Sequence, residues 1–241
     1  MTSMTAIAGS SILIVGATGG LGQELSRALA DRGAQLVLSG RTAEALTAID
    51  APGARLVADI TNPAAITALV SEAYAINGRL DGIINAAGVV AFGPAIDVAD
   101  EVLTELFAVN TLAPIRILRA AAAALAESAA AGRDPFVVTL SGVVSESPTA
   151  NMAAYSASKA ALAAFDQAAA RELRRAGIRI IDARPGHTET PLSTHPIAGT
   201  APRMPVGYPP ASVVSRIVAA IENGEKDLPS SAFTVVPATG Q

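Results

Sequence analysis

"SILIVGATGGLGQELSRALADRG", residues 11–33, joins a β-branched run to a helical pattern through a cluster of glycines. The run "SILIV" shows no polar alternation, as expected of a strand buried on both faces. Gly16, Gly20 and Gly22 follow, and apolar residues then recur at helical spacing over 20–32. Such a turn brings backbone N–H groups and the positive end of a helix dipole to one point, with no side chain to hold an anion away. A dinucleotide pyrophosphate is the ligand that suits it. The spacing is G-x3-G-x-G, and because Gly19 adjoins Gly20 the segment also fits G-x2-G-x2-G. A tight turn with no ligand would use glycine too, so the surrounding chain has to decide.

Outward from this unit the pattern repeats. Apolar runs stand at 35–39, 55–58, 82–85, 136–140, 178–183 and 233–236, and helical segments at 62–77, 99–127, 152–175 and 210–222. The runs up to 183 are expected to be buried on both faces. Strand and helix in alternation mean right-handed crossovers and a parallel sheet covered on both sides. The expectation is an α/β fold: a single doubly wound Rossmann-type domain, 1–241, with a seven-stranded parallel sheet.

Composition narrows the function. Of 241 residues 51% are hydrophobic and 16% charged, with net charge −4, which is ample for a core and unlike a disordered chain. A sequence pI near 5.2 offers no basic footprint for nucleic acid. There is no Cys, and His187 and His195 are the only histidines, so no metal site is expected. The amino terminus lacks the basic segment of a secretory signal, and its apolar run is too short to span a membrane. The Ala-rich stretch after Arg116 is interrupted by charges and reads as a long helix packed in a protein. A cytoplasmic protein with no membrane contact is expected.

The chemistry concentrates in "TLSGVVSESPTANMAAYSASK", residues 139–159. Tyr155 and Lys159 stand one helical turn apart and so share a face. A phenol with pKa near 10 is a poor acid–base group at neutral pH, and a neighbouring ammonium would bring it down. Lys226 is the only other lysine. Further along, "LVLSGRTAEAL" ends the second strand with Gly40 and Arg41, where a guanidinium suits a phosphate. "LVADIT" places Asp59 and Ile60 after the third strand, "NAAG" spans 85–88, Asn110 interrupts an Ala/Leu-rich helix, and "RPGHTET" spans 184–190.

These motifs resemble the short-chain dehydrogenase/reductase family over roughly residues 10–225. The short chain and "NAAG", with Ala86 in place of an Asn, favour its classical branch over the epimerase-like one. The resemblance implies that Gly16, Thr18, Gly20, Leu21 and Gly22 hold a pyrophosphate. It likewise implies that Asn85, Ala86, Ala87 and Gly88 border the cofactor, and that Asp59 and Ile60 hold the adenine. Asp59 could equally cap a helix. Pro185, Gly186 and Thr188 would lie beside the nicotinamide and Thr190 near the phosphates. Gly40 stands where NAD-specific members carry an acid, so with Arg41 the cofactor expected is NADP(H). Tyr155 would exchange a proton with a carbonyl or alcohol substrate, Lys159 would lower its pKa and hold the ribose, and Asn110 would anchor a relay water.

One position departs. The family's N-x-S-S is here Thr139-Leu140-Ser141-Gly142, so the serine that donates to the substrate carbonyl is a glycine. Ser141 shifted by one residue, Ser145, or a backbone N–H could take its place; Ser141 is the catalytic candidate carried forward. The Pro-rich 187–210 stands where the family has a substrate lid, and its Leu, Ile, Met and Val suit an apolar carbonyl compound. The resemblance implies that the long helices 99–127 and 152–175 form an interface between copies, giving a homodimer or homotetramer. The expected activity is NADP(H)-dependent carbonyl reduction or alcohol oxidation. The alternatives are a cofactor sensor without turnover, which Gly142 favours, and an epimerase-like enzyme.

Overall fold

The β-branched runs become six parallel strands in a computed structural model that describes residues 5–233: β1 Ser11–Val15, β2 Gln35–Gly40, β3 Ala54–Val57, β4 Gly82–Asn85, β5 Phe136–Leu140 and β6 Arg179–Ala183. Their order is β3-β2-β1-β4-β5-β6, so the direction of winding reverses between β1 and β4. Ligands of doubly wound sheets bind at that crevice, outside the carboxyl ends of the strands. Of the seventh strand expected at 233–236, only Phe233 lies within the described residues. Leu228, just upstream, makes a parallel bridge to Ala183 on the outer side of β6.

Helices α1 (Gly20–Ala30), α2 (Ala43–Thr47), α3 (Pro63–Asn77), α4 (Asp100–Phe107), α5 (Ala113–Ala130), α6 (Ala153–Leu173) and α7 (Pro210–Glu222) cover the sheet. Leu25 and Leu29 of α1 and Val214 and Ile217 of α7 fill one face with Ile12, Ile14 and Ile181. Ile66 and Leu69 of α3 and Ile117 and Leu125 of α5 fill the other with Leu13, Val37 and Ile83. Pro63 opens α3 behind Asn62, whose side chain accepts from the Ala64 N–H at 2.9 Å. That capping satisfies a helix-end donor and leaves Asp59 free of the cap.

Two expectations change. β3 is the edge strand among the described residues, and its exposure alternates, with Arg55 and Val57 on the uncovered face. The helix expected at 99–127 is divided: a π-helical turn, Ala108–Leu112, separates α4 from α5. The continuous helical stretch Asp100–Ala130 is long and apolar enough to cross a membrane by composition. Its apolar residues pack on the sheet, however, as a core helix does.

Candidate active site

The glycine turn is shaped by contacts that no side chain could share. Gly16 has φ +76°, and a Cβ there would sit 2.5 Å from the Ala87 nitrogen. A Cβ on Gly22 would collide with the Gly16 carbonyl oxygen, so α1 can lie this close to β1 only with glycine at that place. Gly20 opens α1 and faces Thr190, whose Cβ is 2.8 Å from where a Gly20 Cβ would stand. Leu21 turns the other way and packs on the core. The turn is thereby joined to the loop after β6.

A cleft of about 330 Å³ opens beside it at the point where the winding reverses. It is lined by Gly16 and Thr18 from the β1 end, Gly40 and Arg41 from β2, and Asp59 and Ile60 from β3. Ala86, Ala87 and Gly88 from β4 close it. Arg41 is exposed at the rim. A Cβ on Gly40 would lie 2.7 Å from Thr18 Cγ2, so a side chain at residue 40 would have to displace Thr18. Asp59 accepts from the backbone N–H of Thr61 at 2.9 Å and from its hydroxyl at 2.8 Å, both at Oδ1. The backbone bond is the chief reason its carboxyl is held below the usual range, and Arg41 adds to it. Ser39, which also lines the cleft, has a buried hydroxyl with no hydrogen-bond partner, as has Asn85 Oδ1 at the end of β4. Buried polar atoms are rarely left so, and a nucleotide bound in the cleft supplies the class of partner they lack.

Tyr155 and Lys159 project from the first turns of α6 and are both buried. Lys159 Nζ lies 5.8 Å from the Tyr155 ring centroid and donates to the Leu140 carbonyl at 2.7 Å. Burial pushes the phenol up to about 12. Burial also brings Lys159 down to about 8, against the opposing pull of Asp182 and Asp166. The expected lowering of the Tyr155 pKa by Lys159 is therefore not what the protein shows by itself: desolvation outweighs an ammonium at this distance.

Asn110 sits in the π turn, fully buried. Its amide donates to the Val89 carbonyl at 2.9 Å and to Ser158 Oγ at 3.1 Å, and its oxygen accepts from the Val89 N–H at 3.0 Å. Both amide protons are spent on protein, so the side chain fastens the loop after β4 to α6, and a relay water could only donate to it. A Cβ on Gly88 would lie 3.4 Å from Asn110 Oδ1 and 3.6 Å from Lys159 Nζ, which places this glycine between the two groups.

Ser141 is not where the catalytic expectation put it. Its hydroxyl donates to Asp182 Oδ2 at 2.8 Å, its N–H reaches Asp182 Oδ1 at 3.2 Å, and the residue is fully buried. Strand alternation sends residue 141 into the protein, and Asp182 on the paired strand captures it. Gly142 then turns with φ +73°. Its N–H donates to the Ala183 carbonyl at 3.2 Å, and the Val143 N–H donates to Pro185 at 2.9 Å. Arg184 completes the network with bonds to Asp182 at 2.9 Å, to Asp227 at 2.7 Å and to Glu146. Asp166, bonded by Thr139 at 2.7 Å, is pushed up to about 7, chiefly by burial. Asp182 and Arg184 escaped the sequence reading, although two charges closing the apolar run "IRIIDAR" were the signal for them.

The loop after β6 runs from Pro185, which is buried, through Gly186 and Thr188 to Thr190. A Cβ on Gly186 would meet the Tyr208 ring at 2.8 Å. Beyond it the segment expected as a lid is fastened at both ends. Thr188 bridges Tyr208, while Ala198 bridges Ala91 with the Phe92 N–H donating to the Ala198 carbonyl at 3.0 Å.

Residues 10–198 match the short chain dehydrogenase family, and the chain belongs to it. It is 30% identical over 237 residues to the cattle (Bos taurus) dehydrogenase/reductase SDR family member 7B, covering 90% of this chain and 72% of that protein. Among solved structures, a short chain dehydrogenase from Burkholderia cenocepacia in complex with NADP superposes with TM-score 0.81 at 25% identity, covering 94% of this chain and 90% of that one. A 3-ketoacyl-(acyl-carrier-protein) reductase from Brucella melitensis complexed with NADH gives TM-score 0.83 at 24% identity, over 92% and 96% of the two chains. The last shows likeness of fold.

Proposed function

We propose that the protein is an NADP(H)-dependent reductase of carbonyl compounds, and in reverse a dehydrogenase of secondary alcohols with the oxidised cofactor as hydride acceptor. The observation that carries this reading is the buried Tyr155–Lys159 pair, one helical turn apart, at the carboxyl end of the sheet beside the glycine cleft. When bound, the cofactor supplies the hydride that reduces the carbonyl carbon. Tyr155 gives its phenolic proton to the carbonyl oxygen, and Lys159, charged, stabilises the phenolate left behind. Asn110 keeps the loop of Gly88 and Val89 seated against α6, so that the reacting groups stay in register.

The cradle fits a dinucleotide: Gly16, Gly20 and Gly22 leave backbone exposed at the start of α1, and Ser39 Oγ awaits a partner. Preference for the 2′-phosphate is supported by Arg41 at the rim and by Gly40, which puts no acid beside it. Tyr155→Phe tests the reading. Reduction should fall about 10²–10⁴-fold, while NADPH affinity, measured by fluorescence titration, stays within about twofold. Undiminished turnover would remove Tyr155 as the acid.

A second reading, cofactor binding without turnover, rests on Gly142 and on the engagement of Ser141 with Asp182. Tight NADPH binding with no carbonyl reduced by the unaltered protein would favour it.

A further inference from the structure

The turn that faces Tyr155 carries two hydroxyls, and each has one proton to give. The Ser141 hydroxyl donates to Asp182 at 2.8 Å and the Ser145 hydroxyl to the Gly142 carbonyl at 2.7 Å, and the two oxygens stand 3.1 Å apart within hydrogen-bond reach of each other. The N–H groups of Gly142 and Val143 are bonded to Ala183 and Pro185. Thr188, in the neighbouring loop, donates to the Gly186 carbonyl at 3.1 Å. Among Ser141, Ser145, Thr188 and Tyr155, Tyr155 alone has no protein acceptor, so a carbonyl oxygen seated between them receives a single side-chain hydrogen bond.

The surroundings add a second constraint. Val90, Ala91, Phe92, Leu106 and Val144 pack with the Tyr155 ring, and Ile197 of the lid closes over them with its N–H bonded to the Val90 carbonyl at 2.9 Å. Two nearby cations are engaged: Lys159 with Leu140, and Arg184 with three carboxylates. Arg203 of the lid segment is exposed and, among the described residues, makes no ion pair, so the apolar wall rather than a want of cations is the constraint.

We infer that the substrate is an apolar carbonyl compound already activated by a neighbouring carbonyl, as in a vicinal diketone, rather than an isolated ketone. The inference rests on the reductase reading above. One missing donor to a developing oxyanion costs about 10²–10³ in rate, and a second carbonyl on the adjacent carbon makes up for it by withdrawing electrons from the one attacked.

The test compares 1-phenyl-1,2-propanedione with 1-phenyl-1-propanone at saturating NADPH, using the full chain and its Gly142→Ser variant. The unaltered protein should reduce the diketone about 10²–10³-fold better in kcat/KM. A side chain at 142 meets only the Pro185 carbonyl oxygen, at 3.7 Å, so Ser fits in space and bears only the strain of a positive φ. There the ratio should shrink at least about tenfold, because the new hydroxyl helps the plain ketone more. A ratio near one in the unaltered protein, or a ratio that a folded Gly142→Ser leaves unmoved, overturns the inference while sparing the reductase reading. Should the variant fail to fold, para-substituted phenylpropanones decide on the unaltered protein: kcat/KM must climb steeply from methoxy to nitro, and a flat series overturns it. If neither ketone oxidises NADPH, the reductase reading fails and this inference with it.

Discussion

The turn after β1 and the turn after β5 both end a buried strand at the same edge of the sheet, yet they are built oppositely. After β1 the backbone is left bare: Gly16, Gly20 and Gly22 sit where any Cβ would strike another part of the protein. After β5 the backbone is tied down by side chains, with Asp182 gripping both the N–H and the hydroxyl of Ser141 and Arg184 gripping Asp182 in turn. The first arrangement keeps polar groups open for a ligand. The second consumes them internally, so that Tyr155 emerges from a turn that has already spent its own hydroxyls. The backbone is thus left open or tied down by different means at two strand ends separated only by β4.

The sharpest way to break this contrast is at Asp182. Asp182→Ala should cost about 3–5 kcal/mol, because it removes a charge from a buried pair and leaves Arg184 underpaired; urea unfolding measures it, and a loss under about 1 kcal/mol would mean the network is not what fixes the turn. Gly22→Ala comes next. Forcing a methyl against the Gly16 carbonyl should cost about 1–3 kcal/mol and weaken NADPH and NADH alike, since both share the pyrophosphate. Arg41→Ala should act on one cofactor only. Losing a charged bond to phosphate, worth about 1.5–3 kcal/mol, should raise the NADPH dissociation constant about tenfold or more and leave NADH nearly unchanged; equal effects on both would remove Arg41 from phosphate recognition.

The smallest expected effect is with pH. Lys159 must be charged to assist Tyr155 and loses its proton near 8 in the folded protein. Reductive kcat/KM should therefore halve by about pH 8 and fall further above it. Stability moves the opposite way: between about 8 and 10.5 the unfolded chain still binds the proton the folded one has released, so unfolding becomes harder as pH rises through that window. A kcat/KM profile level to pH 10 would show that Lys159 keeps its charge or is not needed.

What the amino-acid sequence determined by itself is whatever depends on local pattern. Six strands were legible from runs of β-branched residues, the phosphate turn from its glycines, and the Tyr155–Lys159 pair from one helical turn of spacing, because each is written in neighbouring residues. Gly40 and Arg41 were legible for the same reason. The tertiary structure decided what depends on a partner brought from afar. Ser141 appeared available until β6 paired with β5 and set Asp182 beside it. Asn110 was recognisable as out of place in an apolar helix, but only the π turn and the loop after β4 show that it holds Val89. The Tyr155 pKa depends on how deeply the ring is buried and how far Lys159 stands from it, and spacing along a helix gives neither. Hydrogen bonds between segments distant in sequence are chosen by the packing of the sheet, and that packing decides which hydroxyls are left for chemistry.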